Sequence, residues 1–226
     1  MSKDKQIIKS EITGIDFFKN LKSNIYDFKL NKIFDEVDGN YEIFSYVNDN
    51  LHCNVKAYFH YETEEYRLQI KFGLNEFCLT DFLIESASKF AKMLQSDLEN
   101  LIKSISHPEG IKNEFVEQKK IPSWQYGSKL LDNVEGFELF LSPRRYLEIT
   151  NGSFVIINYC DFSINSDLAI YYNVFSDDFG SEARINGAPK VVEEFNAADL
   201  KELELKLEQH LAKQLQIIRT ESLVNS

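Results

Sequence analysis

The stretch LHCNVKAYFHYETEEYRLQIKF, residues 51–72, carries the plainest fold signal in the chain. Leu51, Cys53, Val55, Ala57, Phe59 and Tyr61 alternate with His52, Asn54, Lys56, Tyr58 and His60. Tyr66, Leu68, Ile70 and Phe72 alternate in the same way with Glu65, Arg67, Gln69 and Lys71. A period of two sends one set to an apolar face and the other to a polar face, so both runs read as half-buried strands. Thr63-Glu64 between them reads as the turn of an antiparallel hairpin. With that turn, Lys56 faces Lys71 and His60 faces Arg67 across the ladder.

Upstream, Tyr41–Val47 is aromatic and β-branched, hence a further strand. Thr13 and Asp16 stand in a T-x-x-D pattern, and Phe18, Leu21, Ile25 and Phe28 follow at helical spacing. This predicts a helix over 14–30, with polar residues 1–12 frayed. Downstream, Leu83, Ala87, Phe90, Leu94, Leu98, Leu101 and Ile105 form one stripe, which predicts a helix over 81–106 stopped by Pro108 and Gly110.

Residues 107–136 are the least periodic and read as a connection between halves. Phe137–Leu141, Phe154–Cys160 and Leu168–Phe175 then form a second strand block. The last two are apolar on both faces and so read as central strands. Asp177–Ala188 reads as a polar loop or hairpin tip, and Val191-Val192 as a short strand. Asn196–Asp199 caps a terminal helix striped by Leu200, Leu203, Leu207, Leu211 and Ile218.

The expected fold class is α+β: antiparallel sheet or sheets with long helices packed on one face. The organisation is 13–106, a connection over 107–136, and 137–220, as one compact domain or two similar βββα halves. A repeat is suggested by Asn75-Glu76-Phe77 before Asp81 and Glu193-Glu194-Phe195 before Asp199, 118 residues apart. The plainer account is that Phe and Asp are common where a strand meets a helix cap.

Of the 226 residues, 18 are Phe and 11 are Tyr, enough for a real core without staples. A chain of this size buries about 70% of its unfolded surface. Collagen-like, disordered and transmembrane classes are excluded. Lys and Arg number 25 against 36 Asp and Glu, a net charge of −11. That charge disfavours direct nucleic-acid binding and anionic membranes, because both need basic side chains over phosphate. It suits a basic protein partner. Three cysteines (Cys53, Cys78, Cys160) without C-x-x-C spacing suggest neither a disulfide framework nor zinc. The expected address is the cytoplasm.

No nucleophile-elbow, zinc-protease, Walker or dinucleotide motif occurs, so no catalytic residue and no cofactor are nominated. His52 and His60 on one strand would stand about 26 Å apart, too far to share a metal. Three weak clusters remain. Lys56, His60, Arg67 and Lys71 form a basic stripe that would hold a carboxylate or phosphate, or be neutralised by the chain's own glutamates. Arg144-Arg145 is an adjacent pair suited to bidentate anion recognition. Asp177, Asp178 and Glu182 are a partner-facing acidic loop or simply a solvated turn. The leading expectation is a non-enzymatic acidic protein-binding module, an inhibitor of the immunity, antitoxin or counter-defence kind, occluding a basic surface. The alternatives are a small-ligand binder or enzyme using the basic strand face, and an assembly component that dimerises through the terminal helix.

Overall fold

Strand alternation and helical stripes build the same arrangement twice. The computed structural model describes residues 4–106, 113–150 and 152–224. The chain divides into two units, Met1–His107 and Pro108–Ser226.

In the first unit, α1 (Lys5–Thr13) and α2 (Asp16–Lys19) precede β1 (Asn24–Ile25), β2 (Phe28–Val37), β3 (Asn40–Asn48), β4 (Cys53–His60), β5 (Glu65–Phe72) and β6 (Asn75–Cys78). These strands pair antiparallel in sequence order, and α3 (Ala87–Ser106) follows. Tyr41, Phe44, Tyr46, Phe59, Tyr66 and Phe72 are fully buried, with Phe18 and Phe28. Phe90 of α3 stacks on Tyr66 of β5, with centroids 5.6 Å apart, which seats the helix stripe on the apolar sheet face.

In the second unit, α4 (Glu114–Gln118) precedes β7 (Asn133–Val134), β8 (Phe137–Leu141), β9 (Leu147–Thr150), β10 (Ser153–Asp161), β11 (Ser166–Asn173), β12 (Asp178–Ile185) and β13 (Ala188–Ala197). The sheet order is β13-β12-β11-β10-β8-β7, with β9 also on β10. Helix α5 (Leu200–Val224) buries Leu203, Leu207, Leu211, Leu215 and Ile218 in this unit's core. Its cap is reciprocal: Asp199 Oδ1 accepts from Glu202 N at 2.8 Å, and Glu202 Oε2 accepts from Ala198 N at 2.9 Å.

The repeat is real, but its offset is not 118: it is 109 residues over the first two strands and 113 from the central strands to the last helix. Helix α3 starts at Ala87 and α5 at Leu200. Phe90, Leu94, Leu98, Ile102 and Ile105 fall on Leu203, Leu207, Leu211, Leu215 and Ile218, all buried. Both central ladders carry a bulge at the same step, Ile43 between Glu42 and Phe44, and Ile156 between Val155 and Ile157. The turns that follow end on His52 and Asn165, both left-handed (φ 47° and 48°). Where three strands per half were expected, the first sheet is a six-stranded meander and the second holds seven strands, because β8 and β9 both pair with β10. The unpredicted members are β1 and β2 in the first unit, with β7, β9 and β12 in the second.

Several expectations are corrected. The helix expected over 14–30 is reduced to the single turn Asp16–Lys19: Tyr26 turns the chain at φ 50°, and Ile25 and Phe28 flank that turn as strand residues. Spacing of three and four residues was met by a turn between two short apolar anchors. The N-terminal segment from Lys5 is helical instead, capped by Asp4 Oδ1 on Gln6 N and Ile7 N, with Ile8 and Ile12 buried. The helix expected from residue 81 starts at Ala87, and Pro108 and Gly110 lie outside the described residues.

The stretch 107–136 is not only a connection. Val116 and Ile121 are fully buried in the second unit's core, and β7 belongs to its sheet. Residues 107–112 lie outside the described ones. The expected loop Asp177–Ala188 is mostly strand β12, with Phe179, Ser181, Ala183 and Ile185 turned in. Its small and polar residues hid the alternation.

The hairpin register also differs. Four residues, 61–64, connect β4 to β5, and Glu64 is left-handed at φ 57°. A four-residue connection displaces every facing pair from the two-residue reading. Lys56 therefore faces Gln69, Tyr58 faces Arg67, His60 faces Glu65 and Lys71 faces Asn54.

Candidate functional site

The four residues of the basic stripe lie on the polar face of β4 and β5, and each has its own local partner. Lys56 Nζ donates to Glu42 Oε1 at 2.7 Å, and Glu42 is only 8% exposed. Arg67 meets Glu65 at 3.0 Å and Lys71 meets Glu76 at 3.1 Å. His60 Nδ1 lies 3.1 Å from Thr63 Oγ1, whose hydroxyl donates to Glu65 at 2.8 Å. The hydrogen bonds from Thr63 and Arg67 hold the Glu65 carboxyl below its ordinary range. Lys56, Arg67 and Lys71 are thus each matched with a glutamate of the same sheet, and His60 with the Thr63 hydroxyl. Beside it, the Tyr58 hydroxyl sits 3.3 Å from Cys78 Sγ, and burial, then the thiol, pushes it up to about 12.

The acidic residues are split. Asp177, left-handed at φ 55°, ends the β11–β12 turn. Its Oδ1 accepts from Lys119 Nζ at 2.6 Å and from Tyr172 OH at 2.8 Å, which holds its carboxyl low. Asp178 and Glu182 share the other face of β12, four residues apart, hence about 14 Å by the strand rise. Among the described residues neither makes an ion pair. Asp178 borders a cleft of about 480 Å³ with Tyr171, Asn173, Asn196 and Glu202. Gly180 lies in its floor because the Tyr171 ring occupies the space a Cβ would need, at 2.7 to 2.9 Å. Glu202 is engaged by Lys206 at 2.8 Å and by the Ala198 backbone.

Arg144 and Arg145 sit in the turn that separates β8 from β9. In the first unit one unbroken strand, β2, runs past the same neighbour. Arg144 is exposed, and the Arg145 guanidinium lies 6.0 Å from the Phe140 ring centroid. The three sequence-nominated groups therefore belong to different elements: in the second unit the arginines sit in the β8–β9 turn, Asp177 in the β11–β12 turn, and Asp178 and Glu182 on β12.

A polar cluster that sequence reasoning missed lies on β10–β12. Asn158 is fully buried and donates from Nδ2 to Asp167 Oδ2 at 3.0 Å and to Leu168 O at 3.1 Å. The Cys160 thiol donates to Asn158 Oδ1 at 3.0 Å, and Arg184 stands 3.4 Å from Asp167. Burial raises the Asp167 carboxyl, against the pull of Arg184 and Asn158. The single signal for this cluster was an Asn inside the apolar run FVIINYC. Its atoms are bonded to one another, so it ties three strands together rather than offering a reactive group.

All three cysteines are free thiols, and no group of His, Cys, Asp and Glu that could hold a metal ion occurs among the described residues. No helix there is long and apolar enough to cross a membrane. Compared with family models, curated proteins and solved structures, the chain matches none of them.

Proposed function

We propose that this protein is a non-enzymatic binding module whose acidic surface covers a basic surface of another protein. The observation that carries the reading is the unequal bookkeeping of charge. The cations of the sheet face are matched locally, whereas among the described residues Asp178, exposed at the rim of an open cleft, and the half-buried Glu182 make no ion pair. The second unit holds 19 acidic against 12 basic side chains, so the excess is largest where those carboxylates are. Exposed, unmatched carboxylates accelerate and orient approach to a cationic surface. In its finer form the reading is an inhibitor of the immunity, antitoxin or counter-defence kind, acting by occlusion.

The small-ligand alternative on the basic strand face loses its main support, since that face carries its own counter-charges. The assembly alternative would use the terminal helix, whose leucine stripe is spent on its own sheet. The test is affinity purification of the tagged chain at low salt, followed by a rising salt wash. A stoichiometric basic protein released as salt screens the charges is the expected result. A chain that emerges alone, or with a partner indifferent to salt, refutes the reading.

A further inference from the structure

The two units differ at one corner, where the last helix ends beside the turn between the first strands. In the second unit that corner is filled by a guanidinium. Arg219 of α5 donates from Nη2 to Asp161 Oδ2 at 2.6 Å and from Nε to the Glu135 carbonyl at 2.6 Å. Its planar group lies 5.2 Å from the Phe137 ring centroid. Gly136, at φ 83°, makes room, because a Cβ there would collide with the guanidinium.

The first unit builds the same corner from equivalent residues. Leu30 N donates to Ser23 O at 2.9 Å, as Leu139 N does to Asp132 O at 2.8 Å. Tyr26 and Glu135 are both left-handed, at φ 50° and 52°, so the Tyr26 carbonyl stands in the place of Glu135's. Asn48 and Asp161 both cap the turn that follows them, Asn48 Oδ1 accepting from Leu51 N at 3.1 Å and Asp161 Oδ1 from Ser163 N, one step earlier, at 3.0 Å. The carboxylate has moved rather than vanished: Asn48 replaces Asp161, and Asp27 replaces Gly136. What is missing, among the described residues, is a guanidinium at the helix end. Ser106, at Arg219's step of the helix, is short and turns its hydroxyl back to Ile102 O at 2.7 Å. The corner is an open cleft of about 490 Å³, lined by Asn24, Tyr26, Asp27, Lys29, Asn48 and Ser106 among others.

We infer that the cleft between the β1–β2 turn and the end of α3 receives an arginine side chain of a partner protein, in the place Arg219 fills within the second unit. A planar guanidinium can donate to the Asp27 carboxylate and the Tyr26 carbonyl together, as Arg219 does to Asp161 and Glu135. Among the described residues Asp27 makes no ion pair, and neither does Lys29. Lys29 favours an arginine carried on a peptide, whose carbonyl oxygens it can meet, over a bare guanidinium ion. The inference rests on the proposed binding function only for the source of that arginine.

The test is a titration of the full chain with N-acetyl-L-arginine amide, read from the side-chain amide resonances of Asn24, Asn48 and Asn50. Saturable shifts are expected, weakened about tenfold for the lysine analogue and for Asp27→Asn. Ser106→Arg should abolish them by supplying the cation within the chain. No shift, equal response to lysine, or shifts that survive Asp27→Asn overturn the inference, and Asp27→Asn alone decides if Ser106→Arg fails to fold. A silent titration beside a salt-released basic partner defeats the cleft and spares the binding module. A responsive titration with no such partner does the reverse.

Discussion

Tyr46 and Tyr159 do the same work in the two units. The Tyr46 hydroxyl donates to the Lys22 carbonyl at 2.8 Å, and the Tyr159 hydroxyl donates to the Leu131 carbonyl at 2.8 Å. Each ties the third strand position of its sheet to the segment entering the first strand, and both rings are fully buried. Burial, with a smaller push from Glu99, raises the Tyr46 hydroxyl to about 12, and burial raises Tyr159 further. Each hydroxyl therefore stays protonated and donating across the accessible pH range. Tyr46→Phe and Tyr159→Phe should each cost about 1 kcal/mol, the net worth of one such bond. Urea unfolding measures this, and a cost at one tyrosine alone would break the equivalence.

Lys56 and Glu42 form the most enclosed pair of the basic stripe. Removing the cation leaves a largely buried carboxylate without its partner, so Lys56→Ala should cost about 1–3 kcal/mol. Adding Glu42→Gln should recover part of that loss, because a neutral amide is cheaper to bury. Chemical denaturation of the two variants checks it. By contrast Lys71→Ala, at the exposed pair with Glu76, should change stability by under about 1 kcal/mol.

Gly180 faces the Tyr171 ring so closely that a methyl group cannot enter without moving the ring. Gly180→Ala should destabilise the protein by about 1–3 kcal/mol, the usual cost of overpacking. In a Tyr171→Ala background the same change should cost clearly less. A double-mutant cycle reads the coupling, and additive effects would show that the ring is not the obstacle.

Asp167 gives a pH signature. Its carboxyl is raised in the folded state by burial, so the folded chain holds that proton more tightly than the unfolded chain. The sign follows from linkage: this contribution favours folding fully below the ordinary value of 3.8 and is lost as pH rises through the raised one. Asp167→Asn should remove that part of the slope. Melting temperature against pH, compared between wild type and variant, measures it. An unchanged difference across acid pH would refute the assignment.

Where the sequence was legible, one face of an element met one environment. The alternation in 51–72, the apolar runs of β10 and β11 and the stripes of α3 and α5 all record burial directly, and they sufficed for the α+β class. The misread helix at 14–30 and loop at 177–188 share another cause. Phe18, Ile25 and Phe28 have helical spacing whether one helix or two anchors around a turn buries them. In β12 the inward residues include Ser181 and Ala183, whose small side chains look like a loop but fit under their neighbours.

By itself, then, the chain's sequence determined the inward face of its strongly periodic elements, the class of the fold and the excess of negative charge, since these depend on composition and local period alone. Tertiary structure decided the rest. A connection of four residues instead of two reassigned every cross-strand partner of the basic stripe. The repeat emerged at 109 and 113 residues only when strands and bulges could be matched in space, because packing fixes geometry while leaving residue identity loose. The likeness of the cleft beside Ser106 to the corner that Arg219 fills has the same origin: it shows only when two stretches far apart in the chain are compared in space.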